Sequence, residues 1–337
     1  MILVTGGTGL VGSHLLMDLI KEDLRIRVIY RSNKSLEKVK RIFGLYGVNW
    51  TDTINKIEWV RSDILNPDQL SEAFIDIDYV YHCAAMVSFN KKDKEQLFKV
   101  NIEGTANVVN LCLQLGVKKL CYVSSTATIG EDSKGGVRNE SCDWQNDGTY
   151  SNYSVSKYFA EMEVWRASEE GLNIVIVNPS IVIGPGKWTE SSSNLFLKVW
   201  KGLKFYSTGV NGFVDVRDVS RAMHQLMKSE ITSERFLVVG ENLTFQELFT
   251  RIANSLNKPV PHIQVKKWMA NCIWRIEAVK YALFGVTPLV TKESAVSAIS
   301  QVRYSNEKLK KELDFNFTPV NEAINHTSNF FLRDQSI

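Results

Sequence analysis

Paired cysteines are missing from this chain. Its five, Cys83, Cys112, Cys121, Cys142 and Cys272, form no CxxC motif and no metal-ligand spacing. That argues against a disulfide framework, a structural zinc site and a dithiol redox centre. The five histidines, His14, His82, His224, His262 and His326, are equally unpaired in sequence, so no metal is expected. A concentrated basic stripe is lacking too. Lys and Arg total 40 against 37 Asp and Glu, a net charge of +3, and the short lysine runs at 118–119, 266–267 and 308–311 read as solvated ends, so nucleic acid is not the expected partner. No apolar stretch reaches the roughly 20 residues of a membrane-spanning helix, and the N-terminus carries no signal-peptide pattern. The expectation is a cytoplasmic protein with reduced thiols and no membrane partner.

What is present is a strong alternation. With 44% hydrophobic residues over 337 positions, the chain can bury one large α/β unit and a smaller domain. Ile2 to Thr5 reads as a strand, 6–9 as a tight turn and Leu10 to Ile20 as a helix. The series continues with strands at Ile26 to Tyr30, Ile57 to Val60, Tyr79 to His82, Lys119 to Ser124 and Ile174 to Asn178. Helices are expected at Leu36 to Phe43, Asp68 to Phe74, Leu97 to Leu115 and Tyr150 to Ser168. Apolar strands separated by helices predict a doubly wound parallel sheet covered on both faces. After Pro179 the rhythm breaks into a Gly, Pro and Ser-rich loop, 184–194, and a second βα-like run, Val214 to Met227 then Phe236 to Val239, returns to the sheet. The expected division is interleaved: 1–180 and 214–240 as a Rossmann-like dinucleotide domain, and 181–213 with 241–337 as a smaller, mostly helical substrate domain. Residues 268–284 read as a very apolar helix, which suits core packing, a substrate or subunit contact, or a membrane surface in decreasing order.

Two motifs carry chemistry. The first is Thr5-Gly-Gly-Thr-Gly-Leu-Val-Gly12 between the first strand and helix, with Gly6, Gly9 and Gly12 at GxxGxxG spacing rather than GxGxxG. Glycines there permit a sharp turn, close approach of a pyrophosphate and tight helix packing, while the helix N-terminus presents N–H groups, with Thr8, Leu10 and Val11 alongside. The second is Tyr153-Ser-Val-Ser-Lys157, whose four-residue spacing puts phenol and ammonium on one helix face, where the cation can tune the phenol for proton transfer. Together they point to a nicotinamide-dependent oxidoreductase. Arg31 ends the second strand, where an NAD-preferring site uses an acid for the ribose hydroxyls. Arg31, with Asn33 and Lys34, therefore suits the additional phosphate of NADP(H), with NAD(H) the alternative. Asp63 and Ile64, after the third strand, are placed for the adenine.

The order of Thr5 to Gly12, Asp63-Ile64, His82-Cys83-Ala84-Ala85, Asn101 in Asn-Ile-Glu-Gly-Thr105, Ser124-Ser125, Tyr153 with Lys157, and Asn178-Pro179-Ser180 resembles the extended short-chain dehydrogenase/reductase superfamily over nearly the full length. Within it, Arg31 and residues 178–186 are most similar to dihydroflavonol-4-reductase-like proteins. The resemblance implies Tyr153 as acid/base, Lys157 as the neighbour that lowers its pKa and holds the nicotinamide ribose, and Ser125 as the hydroxyl that orients a carbonyl. It implies Asn101 as holder of a relay water, Pro179 and Ser180 at the nicotinamide, and Ala84 and Ala85 along the cofactor. A homodimer through the helices at 97–115 and 150–168 is implied as well. His82 reads instead as sheet packing.

Three reaction classes compete within that superfamily. Dehydratases carry an Asp-Glu pair after the catalytic hydroxyl, whereas Ser125 is followed by Thr126-Ala127. Epimerases and dehydratases place a basic residue just before the segment matching 213–218, whereas this chain has Gly209-Val-Asn-Gly212. Arg217 can stand in there, or brace Asp215 or Asp218. These absences favour simple reduction of a carbonyl or oxidation of an alcohol. The expected pocket, Ser125, Thr126, Ile129, 181–194, Trp188, Phe205 and Tyr206, suits an apolar or ring-bearing small molecule. A cofactor-stabilised regulator without turnover is the non-enzymatic alternative, disfavoured by retention of all four polar site residues.

Overall fold

The computed structural model describes residues 1–22, 24–132, 135–145, 150–266, 268–269, 272, 274–276 and 292–335. The reading of 268–284 as one apolar helix therefore lies largely outside the described residues.

The strands that the sequence announces are mostly buried on both sides, the edge strand at 57–61 excepted, and alternate side chains divide between two cores. On β1 (Ile2–Thr5), Val4 enters one core and Leu3 the other; on β6 (Ile174–Pro179), Val175 and Val177 face one way and Ile174 and Ile176 the opposite. This two-sided burial stabilises a parallel sheet, at roughly 1.5–3 kcal/mol for each fully buried aliphatic side chain. With β2 (Ile26–Tyr30), β3 (Ile57–Arg61), β4 (Tyr79–His82), β5 (Lys119–Val123) and β10 (Glu234–Val238), the seven strands run in the order β10-β6-β5-β4-β1-β2-β3, all parallel. Strand order reverses at β1/β4, which opens a crevice at their carboxyl ends.

One face is covered by α1 (Leu10–Leu19), α2 (Asn33–Leu45) and α9 (Val216–Lys228), the other by α4 (Pro67–Ala73), α6 (Gly104–Gln114) and α7 (Asn152–Glu169). Two short helices, α3 (Trp50–Ile54) and α5 (Lys94–Phe98), complete this half. The span expected as one helix, Leu97 to Leu115, is not continuous: a π-helical turn, Lys99–Glu103, joins α5 to α6.

The second unit begins where β6 ends. Strands β7 (Ile181–Ile183), β9 (Val210–Asp215) and β11 (Glu241–Thr244) form a sheet in the order β11-β9-β7, and β8 (Phe205–Tyr206) pairs β12 (Ile263–Gln264). Its helices, α8 (Asn194–Trp200), α10 (Phe245–Ser255) and the C-terminal helix Val320–Gln335, enclose a separate core containing Phe196, Phe213, Leu248, Ile324 and Phe331. All of β9 stays in this sheet, Val214 and Asp215 pairing with β7, and the chain returns to the main sheet with α9, which starts at Val216. Among the described residues no helix is long and apolar enough to cross a membrane.

Candidate active site

The glycine turn ends β1 on the crevice side. Gly6 has φ +68°, and a Cβ there would sit 2.4 Å from Ala84 N; at Gly12 a Cβ would lie 2.3 Å from the Gly6 carbonyl oxygen. Neither position admits another residue without backbone movement. Gly9 is exposed, and it caps α1 without a side-chain hydrogen bond. No acidic residue occupies the first turn of α1, so its N–H groups suit a phosphate. Thr8 and Leu10 are half-buried beside it, Val11 packs against the core, and a Cβ on Gly186 would lie 3.2 Å from Leu10 Cδ1, which brings the 184–194 loop over the turn. These residues fit a dinucleotide cradle.

Arg31, Asn33 and Lys34 are exposed at the end of β2 and the start of α2. Asp63 Oδ1 accepts from Leu65 N at 3.0 Å, and the helix cap is Asn66, one residue before Pro67. Buried Ile64 packs against Gly104 and its carbonyl accepts from Asn107 Nδ2 at 2.9 Å. Ser62 Oγ, buried next to Asp63, has no protein partner, a polar atom suited to a bound base. Ala84 borders Gly6, its N–H reaching Thr5 Oγ1 at 3.3 Å, and Ala85 is exposed in the crevice. Pro179 is buried at the end of β6. Ser180 turns its hydroxyl to the Val238 carbonyl at 3.5 Å and packs on Gly212, so it is occupied in joining the two units.

Ser125 follows β5, where its Oγ accepts from Ala127 N at 3.1 Å and lies beside the Tyr153 phenol. Tyr153 enters from the first turn of α7, capped by Ser151. Burial raises the phenol above its usual pKa and the Ser125 contact pulls it back, so near neutral pH it holds its proton. Lys157 makes its hydrogen bonds on β5. Its ammonium is fully buried and donates to Tyr122 Oη at 2.7 Å and to the Val123 carbonyl at 2.8 Å, and not to Tyr153. Burial lowers Lys157 to about 7, opposed by the charge of Glu161 one turn further along α7.

Asn101 is also employed differently from the expectation. Buried in the π-helical turn, its Oδ1 accepts from Met86 N at 2.7 Å, while Nδ2 donates to the Met86 carbonyl at 3.0 Å and Ser156 Oγ at 2.9 Å. The side chain clamps the strand-four loop to α7 and has no donor left for a relay water. His82 matches its packing role, held between Thr5 Oγ1 at 2.6 Å and Thr105 Oγ1 at 3.0 Å, with burial lowering it to about 3.

Four neighbours escaped the sequence reading. Glu161, fully buried, accepts from Ser124, Thr128 Oγ1 at 2.8 Å, Asn178 Nδ2 at 2.9 Å and Arg235 Nη1 at 3.2 Å, tying together the ends of β5 and β6. Its signal was the extension of the tyrosine–lysine spacing by a further four residues. The Tyr304 phenol lies beside Thr126, and Phe89 packs edge-on against Tyr153 at 5.6 Å between centroids. Tyr122 is the fourth; nothing in a buried strand distinguishes its hydroxyl. Trp188, expected in the pocket, is instead core: it is buried against Phe196 and Phe331, with Nε1 donating to Asp334 at 2.6 Å. Ile129 is likewise buried, and Phe205 is exposed on β8.

A glycine cradle at the switch point, with a hydroxyl, a phenol and a buried ammonium beyond it, defines a dinucleotide-dependent oxidoreductase site. Residues 2–240 match the NAD dependent epimerase/dehydratase family, and the chain belongs to it. It is an NAD(P)-dependent enzyme of the extended short-chain type. It is 28% identical to the Synechocystis sp. protein named "Putative dihydroflavonol 4-reductase" over 97% of this chain and 93% of that protein. Identity to cinnamoyl-CoA reductase 1 of Petunia hybrida is 27%, over 96% and 90% respectively. The solved structure of gox2253 aligns with a TM-score of 0.82 at 26% identity, over 99% of this chain and 98% of its own.

Proposed function

We propose that this enzyme reduces a ketone or aldehyde of a small apolar or ring-bearing molecule to the alcohol, with NADP(H) as the preferred cofactor. The observation that carries the reading is the juxtaposition of Ser125 and Tyr153 at the crevice that the glycine cradle borders. When bound, the nicotinamide supplies the hydride. Ser125 and Tyr153 then direct two hydroxyls at the carbonyl oxygen: both stabilise the developing alkoxide, and Tyr153 transfers its proton to that oxygen. Lys157, the nearest cation, favours the resulting phenolate.

Reduction is favoured over sugar epimerisation or dehydration by what lies around the pair. Thr126 and Ala127 follow Ser125 where elimination needs carboxylates. Arg217, the one cation near the start of α9 that can meet a diphosphate, binds Asp215 through Nε at 3.0 Å and reaches Glu322 at 3.5 Å. Relatives at 28% and 27% identity are named as reductases. The aromatic surroundings support an apolar substrate: Phe89 lies on Tyr153, and Trp144 stacks on Tyr150 at 3.7 Å and Tyr158 at 4.6 Å. Arg31 and Lys34, exposed at the ribose end without a carboxylate between them, support NADP(H).

The test is a screen of NADPH oxidation against aromatic and aliphatic carbonyls beside nucleotide sugars, following cofactor absorbance and product together. A reductase consumes one NADPH per carbonyl. Conversion of a nucleotide sugar with catalytic cofactor overturns the reading. For the cofactor, Arg31→Ala should weaken NADPH binding by roughly tenfold to a hundredfold and leave NADH nearly unchanged, as expected for one charge-assisted contact. Equal native affinities for the two cofactors remove the preference.

A further inference from the structure

The Lys157 ammonium has three N–H donors, and the protein already engages two of them, on Tyr122 Oη and the Val123 carbonyl. Tyr122 is itself buried, its ring stacked on His82 with centroids 5.4 Å apart. Tyr122 Oη also lies close to the Thr105 hydroxyl. Thr105 in turn meets His82 Nε2 at 3.0 Å, and His82 Nδ1 meets Thr5 Oγ1 at 2.6 Å. Thr5 is the residue from which the glycine turn departs.

We propose that Tyr122 is a positioning residue for Lys157, anchoring the ammonium to the end of β5 together with the Val123 carbonyl and leaving its third donor uncommitted by these two contacts. The proposal rests on reading Tyr153 and Lys157 as the reacting pair. Its consequence is electrostatic. The groups facing Lys157 are Tyr153 and Glu161 on α7, Tyr122 on β5, and His82 and Cys83 at the end of β4. Of these only Glu161 is a carboxylate, so the neutral oxygens of Tyr122 and Val123 carry the remaining solvation of a buried cation. With Lys157 lowered to about 7 by burial, loss of one such oxygen changes its protonation within the physiological range.

The experiment is an NMR titration of the side-chain signals of Lys157 in the lysine-labelled full chain, assigned by their loss in Lys157→Met. Tyr122→Phe keeps the ring on His82 and removes the acceptor, and the midpoint should fall by about one pH unit, the tenfold effect of one hydrogen bond to a charge. Thr105→Val, which removes the hydroxyl beside Tyr122, should move it the same way by less. A purely structural role predicts a lower melting temperature with the midpoint in place. An unchanged midpoint in folded Tyr122→Phe overturns the proposal; should that variant not fold, an unchanged midpoint in Thr105→Val does so. The titration needs no substrate, so failure to reduce any carbonyl removes the proposed reaction and leaves this result standing.

Discussion

Replacing Glu161 with alanine should destabilise the protein more than any single change in the glycine turn. The carboxylate is fully buried and accepts from Ser124, Thr128, Asn178, Arg235 and, at 3.3 Å, Trp165 Nε1. Removing one partner of a buried ion pair costs about 3–5 kcal/mol, because the other charge stays desolvated. Arg235 keeps contacts with the Glu140 and Cys142 carbonyls, which lowers that term. The Ser124 hydroxyl, buried and donating to Glu161, is stranded at about 1–3 kcal/mol for an unsatisfied buried donor, which raises it again. A loss of about 3–5 kcal/mol follows, a large part of the 5–15 kcal/mol typical of a folded domain. Glu161→Gln, which keeps the shape and loses the charge, should cost roughly half as much. Equilibrium urea unfolding monitored by tryptophan fluorescence measures both. A loss under about 1 kcal/mol for Glu161→Ala refutes the account of Glu161 as the knot between β5 and β6, since even one stranded donor should exceed it.

Lys157→Met should stabilise the cofactor-free protein at neutral pH by about 1–3 kcal/mol, because an apolar side chain of similar length replaces a desolvated cation, while cofactor affinity falls. The native Lys157 titrates at about 7 against 10.5 in the unfolded chain, so below pH 7 its burial penalty is full. Between pH 7 and 10.5 the unfolded state binds more protons and stability rises with pH; urea midpoints across that range should climb in the native protein more than in Lys157→Met. Tyr153→Phe should bind cofactor normally and lose about 10²–10⁴-fold in turnover on any accepted carbonyl, the contribution of a general acid, and undiminished turnover removes Tyr153 from the mechanism. Gly12→Ala places a methyl 2.3 Å from the Gly6 carbonyl oxygen and should abolish cofactor binding in a fluorescence titration, with about 1–3 kcal/mol of lost stability from overpacking.

The first six strands of the main sheet were legible because a parallel strand covered on both faces must be apolar at nearly every position, a pattern no exposed segment imitates. The glycine turn was legible for a related reason, since close backbone approach excludes every side chain at Gly6 and Gly12. The break in the helix at 99–103 was not. It accompanies Asn101 reaching across to the Met86 backbone, a contact 15 residues distant with no local signature. The sheet of β7, β9 and β11 was equally hidden, since its strands are three, six and four residues long, and two of them run directly into a helix. Trp188 illustrates a different limit: an aromatic in a loop suits a pocket or a core, and only the position of Phe331, over 140 residues away, decides for the core.

Helix α7 shows why the site outran its motif. Its buried positions are Ser156, Lys157, Ala160, Glu161, Val164 and Ala167, half of them polar, so the inward face of the helix is marked by chemistry in its first turns and by packing only in its last. An amphipathic reading fails on such a helix because the residues that most need burial are those a hydrophobicity pattern assigns to solvent. Each of them is tolerated through a partner from another element: Ser156 through Asn101, Lys157 through Tyr122, Glu161 through Arg235 and Asn178. The Tyr153–Lys157 spacing identifies the helix. The partners fix where its ammonium points, and they lie on β5, β6, β10 and the π-helical turn, so the electrostatics of the site are a property of the assembled sheet and not of the motif.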